Sequence, residues 1–181
     1  MVYKKLHVNN YERMLAECNR TLNFAPSFSI KMPIGAKICN IICKYYFSDM
    51  GLRNARLNFR QIEETHLMEN IIYNELLRRD YSVDVGVVEI REKDDNGNSV
   101  RKQIEVDFVV NQGSQRYYIQ SAFALPTPDK VKQEERPLKA IPDSFKKIVI
   151  VKDNILLRRS EDGIVTMGLK QFLLDENSLD L

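Results

Sequence analysis

Alternating apolar and polar residues in the middle of the chain predict an antiparallel hairpin over "IEVDFVVNQGSQRYYIQSA", residues 104–122. In its first strand two acids fall between apolar residues, and a strand directs such neighbours to opposite faces. The segment "NQGS" supplies the turn, because Gly113 can adopt a positive φ. In the second strand, Gln120 and Ala122 share one face. The apolar residues expected on one face of the first strand are Ile104, Val106, Phe108 and Val110.

Helical periodicity and further apolar runs predict the elements around this hairpin. A long helix covers residues 58–79 and ends in two arginines, which complement the helix dipole. A strand follows over residues 81–92, and "KDDNGNS" forms a turn around its Asn-Gly pair. After the hairpin, a helix begins at Thr127 or Asp129 and is interrupted near Pro137.

The last part of the chain continues this alternation of helices and strands. "FKKIVIVKD" has the composition of a buried strand, "NILLRRSEDGIVTMG" that of two short strands joined by an Asp-Gly turn, and "LKQFLLDE" that of a closing helix. The order helix, three antiparallel strands, helix, strand predicts an α/β (α+β) fold in which helices flank a mixed central sheet.

The first quarter of the chain has no apolar core of its own. "NNYERMLAECNRTLNF" predicts a short helix, "APSFSIKMPIGAK" a connector, and "ICNIICKYYF" fits a helix and a strand equally well. "SDMGLRNARL" predicts a turn and a short helix capped by Ser48 or Asp49. We therefore expect a small N-terminal helical appendage, residues 1–44, before a domain of residues 45–181.

Composition narrows the class of protein without naming a function. The chain has 181 residues, of which 44% are hydrophobic and 29% charged, and its formal net charge is +2, so bulk charge does not indicate a nucleic-acid binder. Cys18, Cys39 and Cys43 form no CxxC pair, which is typical of a reducing compartment. No apolar run is long enough for a membrane span, and the first residues lack a signal-peptide core. We expect a cytoplasmic protein that does not bind membranes.

Glu69 is an unexpected residue within the apolar stripe of the long helix. A carboxylate in such a stripe is costly unless it is paired, hydrogen-bonded or bound to a metal. It is therefore either a half-buried glutamate held by a backbone N–H or an arginine, or a residue aimed at the same sheet face as Asp107. Its neighbours on the helical wheel are Ile62, His66, Ile72, Tyr73, Leu76 and Leu77.

Asp107 and Gln120 extend the second alternative to a metal site. An acid on the polar face of a strand is ordinarily solvated, and Glu105 shares that face. Together, however, Glu69, Asp107 and Gln120 offer oxygen ligands from three elements, which suits Mg²⁺ or Mn²⁺. Such a cation polarises a phosphodiester and activates a bound water. The chain has no GxxxxGK[ST] phosphate loop, so we expect no ATP site in it.

Several separated segments resemble one protein family. A helix with a glutamate, a strand with an ExD pattern and a strand with Glu/Gln-x-Lys form the signature of the PD-(D/E)xK, or restriction-endonuclease-like, fold. "KYYFSDMGLRNARL", "HLMENIIYNELLRRDYSVDVG", "EVDFVV", "YYIQSA" and "DGIVTMGLKQFLLD" are similar, in this order, to the C-terminal domain of unknown function of prokaryotic AAA-type ATPases. In that family a P-loop ATPase and a winged helix precede a nuclease-like domain. The resemblance covers residues 45–181, and residues 1–44 stand where the end of the winged helix is expected.

The sequence departs from the nuclease pattern in the second strand of the hairpin. Gln120 stands where the second acid lies, and Ala122 stands where the lysine lies. A glutamine can still ligate a cation, whereas alanine cannot supply the ammonium that orients the attacking water. Lys130 or Lys132 of the next helix would have to replace it. The catalytic and metal-binding residues that the resemblance implies are Glu69, Asp107 and Gln120.

Three functions are compatible with these observations. We favour a catalytically degenerate nuclease-fold domain, normally fused to a P-loop ATPase, that binds nucleic acid or transmits a signal. The first alternative is an active Mg²⁺-dependent DNA endonuclease. The second is an interaction module that docks onto an ATPase domain or forms a homo-oligomer. The residues proposed to contact DNA are Lys130, Lys132 and Tyr118; the other basic residues that could extend this surface are Arg78, Arg79, Lys139, Lys146, Lys147, Arg158 and Arg159.

Overall fold

The computed structural model describes residues 2–4, 28–34, 37–44, 46–56, 58–59, 63–93 and 97–181. Within these residues no helix is long and apolar enough to cross a membrane. The strands are β1 (Val2–Lys4), β2 (Phe28–Ile34), β3 (Lys37–Cys43), β4 (Ser82–Lys93), β5 (Ser99–Gln112), β6 (Gln115–Ala122), β7 (Lys146–Val151), β8 (Arg158–Arg159) and β9 (Val165–Gly168). The helices are α1 (Met50–Arg56), α2 (Glu64–Arg78), α3 (Pro128–Lys139) and α4 (Leu169–Leu174).

The chain divides into two units, one formed by Leu6–Tyr46 and the other by Met1–Lys5 together with Phe47–Leu181. The described part of the smaller unit is an antiparallel pair of strands, β2 and β3. The connector expected over residues 25–37 is therefore wrong for residues 28–34, which form a strand. Its Pro33 pairs with Ile38, and proline is tolerated there because both strands of a two-stranded hairpin are edge strands. The helix expected over residues 9–24 lies outside the described residues.

The larger unit is built on a seven-stranded mixed sheet with the order β1-β4-β5-β6-β7-β9-β8. Pairing is antiparallel from β1 to β6, parallel between β6 and β7 and between β7 and β9, and antiparallel again at β8. A helix connects β6 to β7, as a parallel pair requires. The predicted order of helix, three antiparallel strands, helix and strand is confirmed by α2, β4–β6, α3 and β7.

Helices cover both faces of this sheet. On one face, the Tyr73 ring of α2 lies 6.5 Å from that of Phe108, and the Arg79 guanidinium beyond α2 lies 4.6 Å from the Phe172 ring of α4. On the other face, Leu138 of α3 packs into an apolar cluster. The sheet residues of this second cluster are Val88, Val106, Val109, Tyr118, Ala122, Val149 and Val151.

A β-bulge interrupts β5 in the centre of the sheet. Asp84 of β4 pairs with Val109 and Gly86 pairs with Val106, so two residues of β5 face one residue of β4. The prediction that four alternate residues of β5 share one face is therefore wrong. The face changes at the bulge: Val106 and Val109 both join the cluster beneath α3, whereas Phe108 contacts α2.

Local interactions fix where the helices begin and end. Asp49 caps α1, because its Oδ1 accepts a hydrogen bond from Leu52 N at 2.9 Å. The long helix does not start near residue 58: Asn58 and Phe59 have φ values of 50° and 52°, which end α1, and α2 begins at Glu64. Thr127 caps α3. The expected interruption near Pro137 is wrong, because the ring lies in the last turn, where it removes a single helical hydrogen bond.

Candidate functional site

Asp107 lies in the β-bulge and faces α2. Val106 and Val109 point to the α3 side, so the two residues between them, Asp107 and Phe108, share the opposite side. Asp107 Oδ2 accepts a hydrogen bond from the backbone N–H of Ser121 at 2.9 Å. The regular β5–β6 pairing ends one residue away, at Phe108 and Ile119. The carboxylate therefore continues the connection between the two strands beyond their last backbone pair.

Gln120 lies next to Asp107 but belongs to the other face. Tyr118 and Ala122, two residues before and after Gln120 in β6, both pack in the cluster beneath α3. The Gln120 side chain therefore leaves the strand on that face of the sheet. Gln120 Oε1 accepts from the backbone N–H of Asp107 at 3.4 Å, a long hydrogen bond. The structure thus joins Gln120 to the main chain of Asp107. On the face of the carboxylate, the residue from β6 is Ser121, which sequence reasoning missed because the bulge leaves no signal in the alternation.

Glu69 lies on α2 one turn before Tyr73, and therefore on the same side of the helix. Since Tyr73 packs against Phe108, Glu69 and Asp107 are both on the α2 face of the sheet. Glu69 is partly exposed, and the buried polar residue of α2 is instead Asn70, 4% exposed. Its side chain accepts from Phe47 N at 2.8 Å and donates to Phe47 O at 2.7 Å. Asn70 therefore satisfies the backbone N–H and C=O groups of Phe47, which precedes α1.

Two contacts fix the direction of α2 along the sheet. Near its start, Glu64 Oε2 lies 2.7 Å from Lys152 Nζ, directly beyond β7. At its end, Arg79 O accepts from Gln112 Nε2 at 3.2 Å, where β5 ends. The helix therefore runs antiparallel to β6 and β7. Glu69, in its first half, lies toward the edge of the sheet where those two strands end.

The position of the missing lysine is part of the core. Ala122 is 2% exposed and lies in the apolar cluster beneath α3. Tyr118, four residues earlier, is fully buried, and its hydroxyl donates to Asp143 Oδ2 at 2.5 Å. The Tyr118 ring therefore cannot stack on a base, and its place beside the expected site is explained by packing.

The basic residues considered for a phosphate-binding surface are dispersed and mostly paired. Lys130 lies 2.6 Å from Glu134, and Lys132 lies 3.6 Å from Asp129, each within α3. Lys146 lies at the other end of β7, where burial and the neighbouring Arg159 lower its pKa. Four further members also make contacts: Arg78 and Arg79 with Glu75, Lys139 with Glu135 and Asp162, and Lys147 with Ile141 O.

Among the described residues, no group of three or more histidine, cysteine, aspartate or glutamate side chains could hold a metal ion. Glu69 and Asp107 supply two carboxylates from the α2 face, and the amide of Gln120 begins on the other face. A cation held here would need most of its ligands from water or substrate, which Mg²⁺ accepts.

The chain is similar to one uncharacterized protein of Haemophilus influenzae, with 34% identity over 131 residues. The match spans 72% of this chain and 28% of that protein, so this chain covers little more than a quarter of its relative's length. No protein-family model matches the chain, and no solved structure matches it.

Proposed function

We propose that this chain is a nuclease-fold domain without phosphodiesterase activity, which serves as a nucleic-acid-binding or regulatory module of a longer, ATPase-linked protein. Its succession of α2, β4, β5, β6, α3 and β7 is compatible with a restriction-endonuclease-like core. The resemblance of residues 45–181 to the C-terminal domain of AAA-type ATPases supports the link to an ATPase.

The observation that carries the loss of activity is the contact between Asp107 and Ser121. A carboxylate that accepts a backbone N–H at 2.9 Å closes the β5–β6 pair at the bulge, and such a charge-assisted bond contributes about 1.5–3 kcal/mol. This structural function is sufficient reason for an acid at position 107. Ala122, buried in the core, leaves no ammonium at the position where the nuclease pattern has one.

A DNA-binding assay tests the nucleic-acid-binding part of this proposal. We expect the protein to bind a labelled mixed-sequence duplex with an affinity that falls steeply between about 50 mM and about 200 mM salt. Asp107→Asn should bind as the wild type does, because the amide oxygen can still accept the Ser121 N–H. The absence of any binding at low salt would overturn the proposal that the domain binds nucleic acid and would favour a regulatory module.

The second candidate is an active Mg²⁺-dependent endonuclease. It is favoured by the presence of Glu69 and Asp107 on the same face of the sheet, toward the edge where β6 and β7 end. This candidate predicts DNA cleavage that Asp107→Asn and Glu69→Gln both abolish. Glu105→Gln, which neutralises a neighbouring partly exposed acid of β5, is the matched control and should cleave normally.

A further inference from the structure

One lysine lies at the same edge and on the same face as Asp107. The register of β6 and β7 pairs Ala122 with Val151, so Phe123 and Lys152 leave the two strands side by side. Val151 points to the α3 side, and alternation therefore directs Lys152 to the α2 side. Ser121, which is bonded to Asp107, lies two residues before Phe123 on β6.

The ammonium of Lys152 is held between two groups from other elements. Its Nζ lies 2.7 Å from Glu64 Oε2, at the start of α2, and 4.2 Å from the centre of the Phe123 ring. The Lys152 side chain is 46% exposed and that of Glu64 is 61% exposed. An ion pair in such a setting is weak, and it can exchange its carboxylate for another anion.

The ring of Phe123 keeps the ammonium in position when its partner changes. A cation over an aromatic face is attracted to it without using its hydrogen-bond donors. The three donors of Lys152 therefore stay available to a phosphate, with which an ammonium forms strong charge-assisted hydrogen bonds. Lys130 and Lys132 are likewise paired with acids, in their case of their own helix.

We propose that Lys152 is the phosphate-binding cation of this domain, and that the Glu64 carboxylate pairs with its ammonium when no phosphodiester is bound. The inference rests on the proposed nucleic-acid binding and assigns the contact to one residue. Glu64 and the backbone phosphate compete for the same ammonium. Removing Glu64 should then strengthen DNA binding, and removing Lys152 should weaken it.

The test is fluorescence anisotropy with a labelled mixed-sequence duplex and with its single strand, across a salt series. Lys152→Ala should weaken binding roughly tenfold, the effect of one lost charged hydrogen bond, and should reduce the salt slope by about one. Lys152→Arg should retain most of the affinity. Lys102→Ala removes an exposed lysine of β5 that pairs with Glu92 at 3.4 Å, and it is the matched control, with little expected effect.

Competition by Glu64 has its own matched control. Glu64→Gln should tighten binding by about two- to fivefold, the range expected for an exposed pair. Glu63→Gln changes the net charge equally at the same helix start, but Glu63 pairs with His66 at 2.9 Å and should have a smaller effect. The gain from Glu64→Gln should disappear in the Lys152→Ala background, which separates competition from general repulsion of DNA by an acid.

The outcomes separate this inference from the function on which it rests. If the wild type binds DNA and Lys152→Ala binds equally well with an unchanged salt slope, the assignment of Lys152 is wrong and the binding function stands. If neither the wild type nor Glu64→Gln binds at low salt, nucleic-acid binding itself is wrong, and the inference with it.

Discussion

Arg79 should contribute more to stability than its neighbour Arg78, although both pair with Glu75. The Arg79 side chain is 5% exposed, and its Nε lies 2.7 Å from Glu75 Oε1. Its guanidinium also donates to Ser178 Oγ at 2.9 Å, to Glu176 O at 3.2 Å and to Phe172 O. It lies over the Phe172 ring as well. One buried side chain thus joins the end of α2 to α4 and the residues that follow.

The expected loss on Arg79→Ala follows from these contacts. Removing one partner of a buried pair costs about 3–5 kcal/mol, because the groups left behind lose their hydrogen bonds without regaining water. Glu75 keeps Arg78 as a partner at 2.8 Å, which puts the expected loss near the lower end, about 3 kcal/mol. The Arg78 side chain is 55% exposed, and Arg78→Ala should have a much smaller effect.

Urea unfolding followed by circular dichroism measures this difference. At a slope of about 2 kcal/mol per molar urea, a loss of about 3 kcal/mol lowers the unfolding midpoint by about 1.5 M. Arg79→Lys keeps the charge but loses the planar fork, so its midpoint should lie between those of the wild type and Arg79→Ala. Equal midpoints for Arg79→Ala and Arg78→Ala would refute the argument that burial and multiple acceptors make the first arginine important.

Two further predictions concern pH and backbone packing. Hydrogen bonding from Arg78 lowers the pKa of Glu75; Arg79 adds to this effect and desolvation opposes it. The ionised Glu75 therefore stabilises the fold above the ordinary glutamate pKa of about 4.3, and this stabilisation is lost as the pH falls through the lowered pKa. Urea midpoints measured across that range should fall less steeply for Glu75→Gln than for the wild type, and parallel curves would contradict this. A Cβ at Gly168 would lie 2.7 Å from Asp153 O. Gly168→Ala should therefore lower the free energy of unfolding by about 1–3 kcal/mol in the same assay. An unchanged midpoint would show that the backbone at Asp153 moves aside without cost.

The regular elements of the larger unit could be predicted because their residues repeat with a clear period. The span predicted for β6, residues 115–122, is confirmed by its observed bounds, and Gly113 adopts the positive φ value expected at its turn. The helix start near residue 58 could not be predicted, because the left-handed backbone at Asn58 and Phe59 depends on bonds back to α1. Helix propensity does not locate a helix boundary of this kind.

The candidate site was less predictable than the fold, for a reason specific to β5. The sequence "EVDFVV" alternates as a regular strand does, and nothing in it marks the extra residue of the bulge. That single residue moves Phe108 to the α2 side. It also makes Ser121, instead of Gln120, the β6 neighbour of the Asp107 carboxylate. Lys152 could not be connected with the site from sequence, because it follows a strand that is separated from β6 by α3.

Asp107 Oδ2 accepts the Ser121 N–H, and we propose that the carboxylate holds the β5–β6 pair together and does not hold a catalytic metal. Plasmid nicking in Mg²⁺ and in Mn²⁺, by the wild type, Asp107→Asn, Glu69→Gln and the Glu105→Gln control, tests it most directly. We expect no nicking by the wild type above the level of Asp107→Asn in either metal. Nicking by the wild type and by Glu105→Gln that both other variants abolish would contradict it and establish an active endonuclease.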